Sequence, residues 1–335
     1  MSETGISQTG KPIDAVILWV DGIDKKLSEK RDRYRQLENK KTSHPGSLPL
    51  RFTSTGEITY CVRSILKFAG FIRNIYVVTD EQDPDLYEMV KSRFPGRENC
   101  IRIVDHREIF RGYEQYLPTF NSSSIHTMIW RIEGLSERFV YFNDDVVLVR
   151  EHSEEDWFVG DRPVLTGKWR LPPWGRFAGS KLKVLYNKYI KGNSDYIPKV
   201  SFYIRQWKTA SVAGFRLRHY FHDHSPHPFS KATLEEYFTA NKGVLEKIIS
   251  YRFRDPEQLL TSSLVYHLEI LKGNRNLRQV NTGYLHPLYK EKKMTRKIDK
   301  CKTDSRYKSV CIQNIDLMRE EDRRKIIGWL DSVLA

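Results

Sequence analysis

At 335 residues, 39% of them hydrophobic and 12% aromatic, the chain is long enough for one large α/β domain or a core domain with a substantial insertion. A formal net charge of +14 favours anionic ligands: nucleotide sugars, phosphorylated polymers, acidic lipid headgroups or nucleic acid. Four dispersed cysteines exclude a disulfide-dense scaffold, and no run of about 18 apolar residues is present to span a bilayer.

Residues 1–11 are polar and lack the apolar stretch of a secretory signal, so a cytoplasmic protein with surface-only membrane contact is expected. Residues 13–20 (IDAVILWV) form a continuous apolar run, as in a parallel strand buried on both faces. Residues 56–69 place Ile58, Cys61, Val62, Ile65 and Leu66 at helical spacing before Gly70. A second strand is predicted at 74–78 (NIYVV), and Asp83-Pro84 is the expected start of a helix carrying Leu86, Met89 and Val90. A third strand at 100–104, a helix at 122–133 and a fourth strand at 139–142 complete the first half. Strands separated by such helices predict an α/β fold with a mostly parallel, Rossmann-like sheet and helices on both faces.

Residues 151–200 are rich in Trp, Pro, Gly, Lys and Arg with poor periodicity, and read as an irregular insertion facing substrate. Trp169, Trp174 and Arg176 are candidates for stacking on sugars or for packing a small local core. Helical patterns return from 233 to about 271. Residues 289–308 carry nine Lys or Arg against three acids and read as an exposed loop, suited to holding an anionic membrane or a phosphodiester polymer. A terminal helix is predicted at 320–334. The resulting division of one catalytic domain is a nucleotide-sugar and metal core at 12–150, the insertion at 151–200, and a C-terminal part at 201–335.

The four predicted strands run into Asp21, Asp80, Asp105 and Asp144-Asp145. Open α/β sheets bind ligands outside the carboxyl ends of their strands, so these carboxylates would face one crevice. Such a cluster repels itself unless a cation neutralises it, and oxygen ligands suit Mg²⁺ or Mn²⁺. Asp80 and Asp105 also fit as helix caps, whereas two adjacent acids after a buried strand are poorly explained by capping.

Several segments resemble the Stealth phosphotransferases: residues 13–24 (IDAVILWVDGID), 51–65 (RFTSTGEITYCVRSI), 72–80 (IRNIYVVTD), 117–148 (LPTFNSSSIHTMIWRIEGLSERFVYFNDDVVL), 224–231 (HSPHPFSK) and 251–258 (YRFRDPEQ). A last family block, usually Cys-x-Asn-Asp, departs here to Cys311-Ile312-Gln313-Asn314. The resemblance implies transfer of a hexose-1-phosphate, for example an N-acetylhexosamine-1-phosphate, from a nucleotide diphosphate sugar to a hydroxyl of a capsular or exopolysaccharide. A UDP-sugar is the expected donor, and a polysaccharide or glycolipid-linked acceptor the expected second partner. Peripheral association with the inner face of a bacterial plasma membrane would accompany that role.

On this reading His224, Arg254 and Asp145 are catalytic. His224 titrates near neutrality and matches the family histidine, and Arg254 can grip phosphate through two parallel hydrogen bonds. Asp21, Asp144 and Asp145 are the expected metal ligands. Arg51, Glu57, Arg63, Asn121, Ser122, Lys231 and Asn314 are the expected substrate contacts. Alternatives stand beside some of these: an ion pair for Arg63, a favourable helix-dipole position for Glu57, an N-cap for Asn121 or Ser122. A metal-dependent nucleotide-sugar glycosyltransferase would share the sheet and the aspartates. A nucleic-acid binder is disfavoured, because strand-end aspartates oppose a phosphate backbone.

Overall fold

The computed structural model describes residues 10–38, 56–193 and 201–335. The four anticipated strands are present as β1 (Ile13–Leu18), β2 (Ile72–Thr79), β3 (Ile101–Asp105) and β4 (Arg138–Asn143). They lie in the order β4-β1-β2-β3 and are all parallel, with His227–Ser230 added antiparallel at the β4 edge. The chain moves outward from β1 through β2 to β3, then returns to β1's other side as β4. That reversal opens a crevice at the carboxyl ends.

Helices α1 (Lys25–Leu37) and α2 (Glu57–Phe68) lie between β1 and β2 in the chain. The next three are α3 (Tyr87–Arg93), α4 (His106–Ile109) and α5 (Ser122–Met128). The helix expected from Asp83 starts only at Tyr87, because Asp85 takes a left-handed conformation with φ 52°. Then come α6 (Trp174–Tyr189), α7 (Phe202–Val212), α8 (Lys231–Ala240), α9 (Lys242–Ile249), α10 (Thr261–Leu271), α11 (Glu291–Thr303) and α12 (Glu320–Leu334).

The apolar character of β1, broken only by Asp14, follows from cover on both faces. Ile13, Ala15 and Ile17 pack in one cluster with residues of α2, α11 and α12. Val16 packs in the other with residues of α5, α9 and α10. Each of these Ile and Val side chains contributes roughly 1.5–3 kcal/mol by burial, so a charge at Ile17 would break the core. The one acid inside β1, Asp14, is fully buried and meets Arg73 at 2.9 and 2.7 Å. It also accepts from the backbone N–H groups of Asn74 and Ser136, tying together the amino ends of β1, β2 and β4.

A smaller sheet stands beside the first. Here β5 (Val146–Leu148) pairs antiparallel with Tyr307–Ile312, which pairs parallel with Asn281–Leu285. The C-terminal part is thereby laid against the turn that follows β4.

Two segments expected to be irregular each contain a long helix. Within 151–200, short strand pairs give way to the sixteen-residue helix α6. Trp169 packs on Phe215 and Tyr220, with Arg218 over its ring, as in a small local core. Within 289–308, α11 forms because Met294, Ile298 and Cys301 fall on one face and are buried. Charge density concealed that period. Among the described residues, no helix is long and apolar enough to cross a membrane.

Candidate active site

A cleft of about 490 Å³ opens at the carboxyl ends of β1, β2 and β4. Its sheet-side wall carries Trp19 and Val20 after β1, Asp80 after β2, Asn143 at the end of β4 and Asp144-Asp145 just after it. The two aspartates form the turn by which the chain leaves the large sheet for the small one. Strand Tyr307–Ile312 pins that turn: Ile312 N–H donates to the Asp145 carbonyl at 2.8 Å, and the Cys311 thiol lies 3.5 Å from Asp145 Oδ2. Burial, then the neighbouring charges of Asp145 and Glu57, push the Asp144 carboxyl well above its ordinary range.

The opposite wall is built from loops. His224 sits between His219–Phe221 and His227–Ser230, its ring stacked between Phe202 at 4.7 Å and Tyr284 at 5.5 Å, each tilted by 17°. Tyr284 in turn hydrogen-bonds Gln313. Two aromatic faces fix the plane of the imidazole and leave its nitrogens at the edges.

Arg254 donates from Nη2 to Ser122 Oγ at 2.8 Å. Its loop is clamped by Asn121, whose amide nitrogen donates to the carbonyls of Tyr251 and Phe253 at 2.9 and 3.0 Å and to Gln258 Oε1 at 2.9 Å. Asn121 Oδ1 meanwhile caps α5 by accepting from Ser123 N–H.

The cleft therefore brings together His224, Arg254, Asp144, Asp145, Glu57, Ser122 and Asn314. Asn314 reaches it through a left-handed turn with φ 47°, a conformation asparagine tolerates. Four expected site residues lie elsewhere. Asp21 accepts from Ile23 N–H, while its backbone exchanges two hydrogen bonds with the Gln82 amide; it is not among the residues that line the cleft. Arg63 is buried against α12, donating to the Leu334 carbonyl at 3.1 Å with Asp331 at 3.8 Å, so the ion-pair reading holds. Asn121 is fully buried and holds Arg254's loop. Lys231 opens α8 at the opposite end of β4, its N–H bonded to the Glu137 carbonyl. Arg51 lies outside the described residues.

The single crevice of carboxylates is likewise reduced. Asp80 lines the cleft but is paired with Lys30 at 3.0 Å, and Asp105 caps α4 in a reciprocal box with Glu108. Among the described residues, no group of three or more His, Cys, Asp or Glu is arranged to hold a metal ion. Asp144 and Asp145 with Glu57 nearby still suit a hard cation of the Mg²⁺ type. Such an ion commonly takes one or two carboxylates and completes its shell from substrate phosphates and water. The upward push on Asp144 is the observation that favours a positive charge there.

Sequence reasoning passed over Arg205, Phe202 and Tyr284. Arg205 lines the cleft from α7 with Nη2 3.2 Å from Ser123 Oγ, and burial lowers its guanidinium to about 10. No motif surrounds it, so proximity alone reveals it. In the cleft lining, burial holds His126 and His222 neutral, pushing each down to about 3.

The family model described as Stealth protein CR2, conserved region 2, matches residues 51–164. A capsular polysaccharide phosphotransferase of Streptococcus thermophilus is 33% identical over 176 residues, covering 52% of this chain and 68% of the relative. An exopolysaccharide phosphotransferase of Lactiplantibacillus plantarum is 26% identical over 333 residues, covering 93% of this chain and 91% of the relative. One from Streptomyces coelicolor is 39% identical over 154 residues, and the match spans 46% of this chain but only 16% of that longer protein.

Proposed function

This chain belongs to the Stealth family, and from that premise we propose that it moves a hexose-1-phosphate from a nucleotide diphosphate sugar onto a capsular or exopolysaccharide hydroxyl. The observation that carries the reading is the convergence of His224, Arg254 and the Asp144–Asp145 turn, distant in sequence, on one cleft. An acid pair beside a guanidinium and a clamped imidazole is the equipment that phosphoryl transfer requires: charge neutralisation, an in-line hydroxyl and a proton acceptor.

In this scheme the acceptor oxygen attacks the phosphorus next to the sugar. His224 takes the hydroxyl proton, and the bridging oxygen between the two phosphates leaves with the nucleoside monophosphate. The bond between the sugar and its oxygen stays intact, and a phosphodiester forms. Arg254, held by Ser122, and Arg205 behind it offset charge on the phosphoryl oxygens. Asp144 and Asp145 would hold Mg²⁺ or Mn²⁺, which supplies neutralisation of the diphosphate when bound.

Incubation with UDP-sugars, Mg²⁺ and short capsule fragments, read by mass and phosphorus NMR, tests the proposal. Nucleoside monophosphate and a phosphodiester product are expected. Release of nucleoside diphosphate with no phosphorus in the product would replace the reading with a glycosyltransferase.

A further inference from the structure

Helix α6 has no buried residue, although it is sixteen residues long. Ala178, Leu182, Leu185 and Tyr189 recur along it at helical spacing and form one stripe. That stripe points away from the body: Leu182 is 64% exposed, Leu185 49% and Tyr189 70%. The inner face is the other one, where Phe177, Val184 and Asn187 are half-buried and Phe177 and the Trp174 ring meet Trp207 of α7. An apolar face of this kind turned to solvent marks a surface that another phase or partner covers.

Charge decides which. The helix carries Arg176, Lys181, Lys183 and Lys188, and no acid. Lys188 lies over the Tyr189 ring and Lys191 over the Tyr186 ring, so the ammonium groups border the apolar stripe. A second copy placed against this face would bring like charges together. Anionic lipid headgroups neutralise them while the acyl boundary accepts the aromatic and leucine side chains. The basic segment 289–308, by contrast, turns its apolar residues into the core and has no such stripe to insert.

We propose that α6 lies in the plane of an anionic membrane surface, inserting Leu182, Leu185 and Tyr189 and seating the protein at the bilayer. The face is independent of the chemistry in the cleft, so the proposal stands or falls apart from the transfer reaction.

Co-sedimentation of the full chain with vesicles of phosphatidylcholine mixed with phosphatidylglycerol, against pure phosphatidylcholine vesicles, tests it. The wild type is expected to bind the anionic vesicles and to lose binding as salt rises. Combining Leu182→Ser, Leu185→Ser and Tyr189→Ser should lower the partition coefficient by about tenfold or more. Combining Lys181→Gln, Lys183→Gln and Lys188→Gln should cost about fivefold per lysine. Both variants should keep the wild-type melting temperature, since every substituted side chain is exposed. Absence of binding by the wild type, or undiminished binding by the triple serine variant, would overturn the proposal. So would a wild-type dimer in light scattering that the serine variant converts to a monomer, which would assign the face to a second copy.

Discussion

The two walls of the cleft are held in opposite ways. The sheet-side wall is placed by backbone: Asp144 and Asp145 follow β4, and the ladder with β1 fixes where that strand ends. Its unfavourable component is electrostatic, with Asp144 forced upward by burial and its acidic neighbours. The loop-side wall is placed by side chains: Asn121 clamps the segment bearing Arg254, and Phe202 and Tyr284 hold His224. Substitutions on the first wall should therefore change chemistry while sparing stability. On the second, supporting residues that touch no substrate should affect both.

The largest expected effect is on turnover. His224→Ala and Asp145→Ala should each lower transfer by about a thousandfold or more, with melting temperatures near wild type. Near-normal turnover in either would remove that residue from the site. Arg254→Lys keeps the charge but loses the two-pronged geometry, and roughly a hundredfold loss in kcat/KM is expected. A loss no greater than a few fold would show that a point charge suffices.

Asn121→Ala sharpens the contrast between the walls. It leaves two carbonyls and the Ser123 N–H without their amide partner, so urea unfolding should show a loss of about 2–3 kcal/mol along with reduced activity. Unchanged stability would break the view that this wall rests on the clamp.

Acid sensitivity should come from the buried histidines. In the folded chain His126 and His222 titrate at about 3, against 6.5 when exposed, so the unfolded state binds more protons between those values. Stability is intact above about pH 6.5 and falls as pH drops toward 3, by roughly 1.4 kcal/mol per pH unit for each histidine. His126→Phe should flatten the slope measured from about pH 6 to pH 5.

The smallest effect has the opposite sign. The raised Asp144 carboxyl favours the folded state while protonated, and that contribution is lost as pH rises through its folded value. In chelator-treated protein near neutral pH, Asp144→Asn should raise stability, read as a higher urea midpoint than the wild type. Added Mg²⁺ should raise the melting temperature of the wild type but not of this variant. A destabilised Asp144→Asn protein would contradict the repulsion.

Much of the sheet-side wall was legible in the residues. A doubly buried apolar strand has a continuous period, and two acids at its end have few structural uses. Asp21, Asp80 and Asp105 share that position in the sequence yet serve a turn, a lysine and a helix cap, because strand-end position does not say which way a side chain turns. Lys231 was misplaced for a related reason: the strand before it runs antiparallel to β4 and carries the residue to the far end of the sheet. Arg205 had no local pattern to betray it.

By itself the sequence determined the parallel sheet, the Asp144–Asp145 turn and the family, since these rest on local periodicity and contiguous blocks. Only tertiary structure decided which candidates meet, because the cleft joins segments that no spacing relates. It also separated two basic stretches of similar composition. In α11 the apolar residues fall on the side that finds a core; in α6 they fall on the side facing out. Helical period places residues on a face, and only packing tells which face the protein covers.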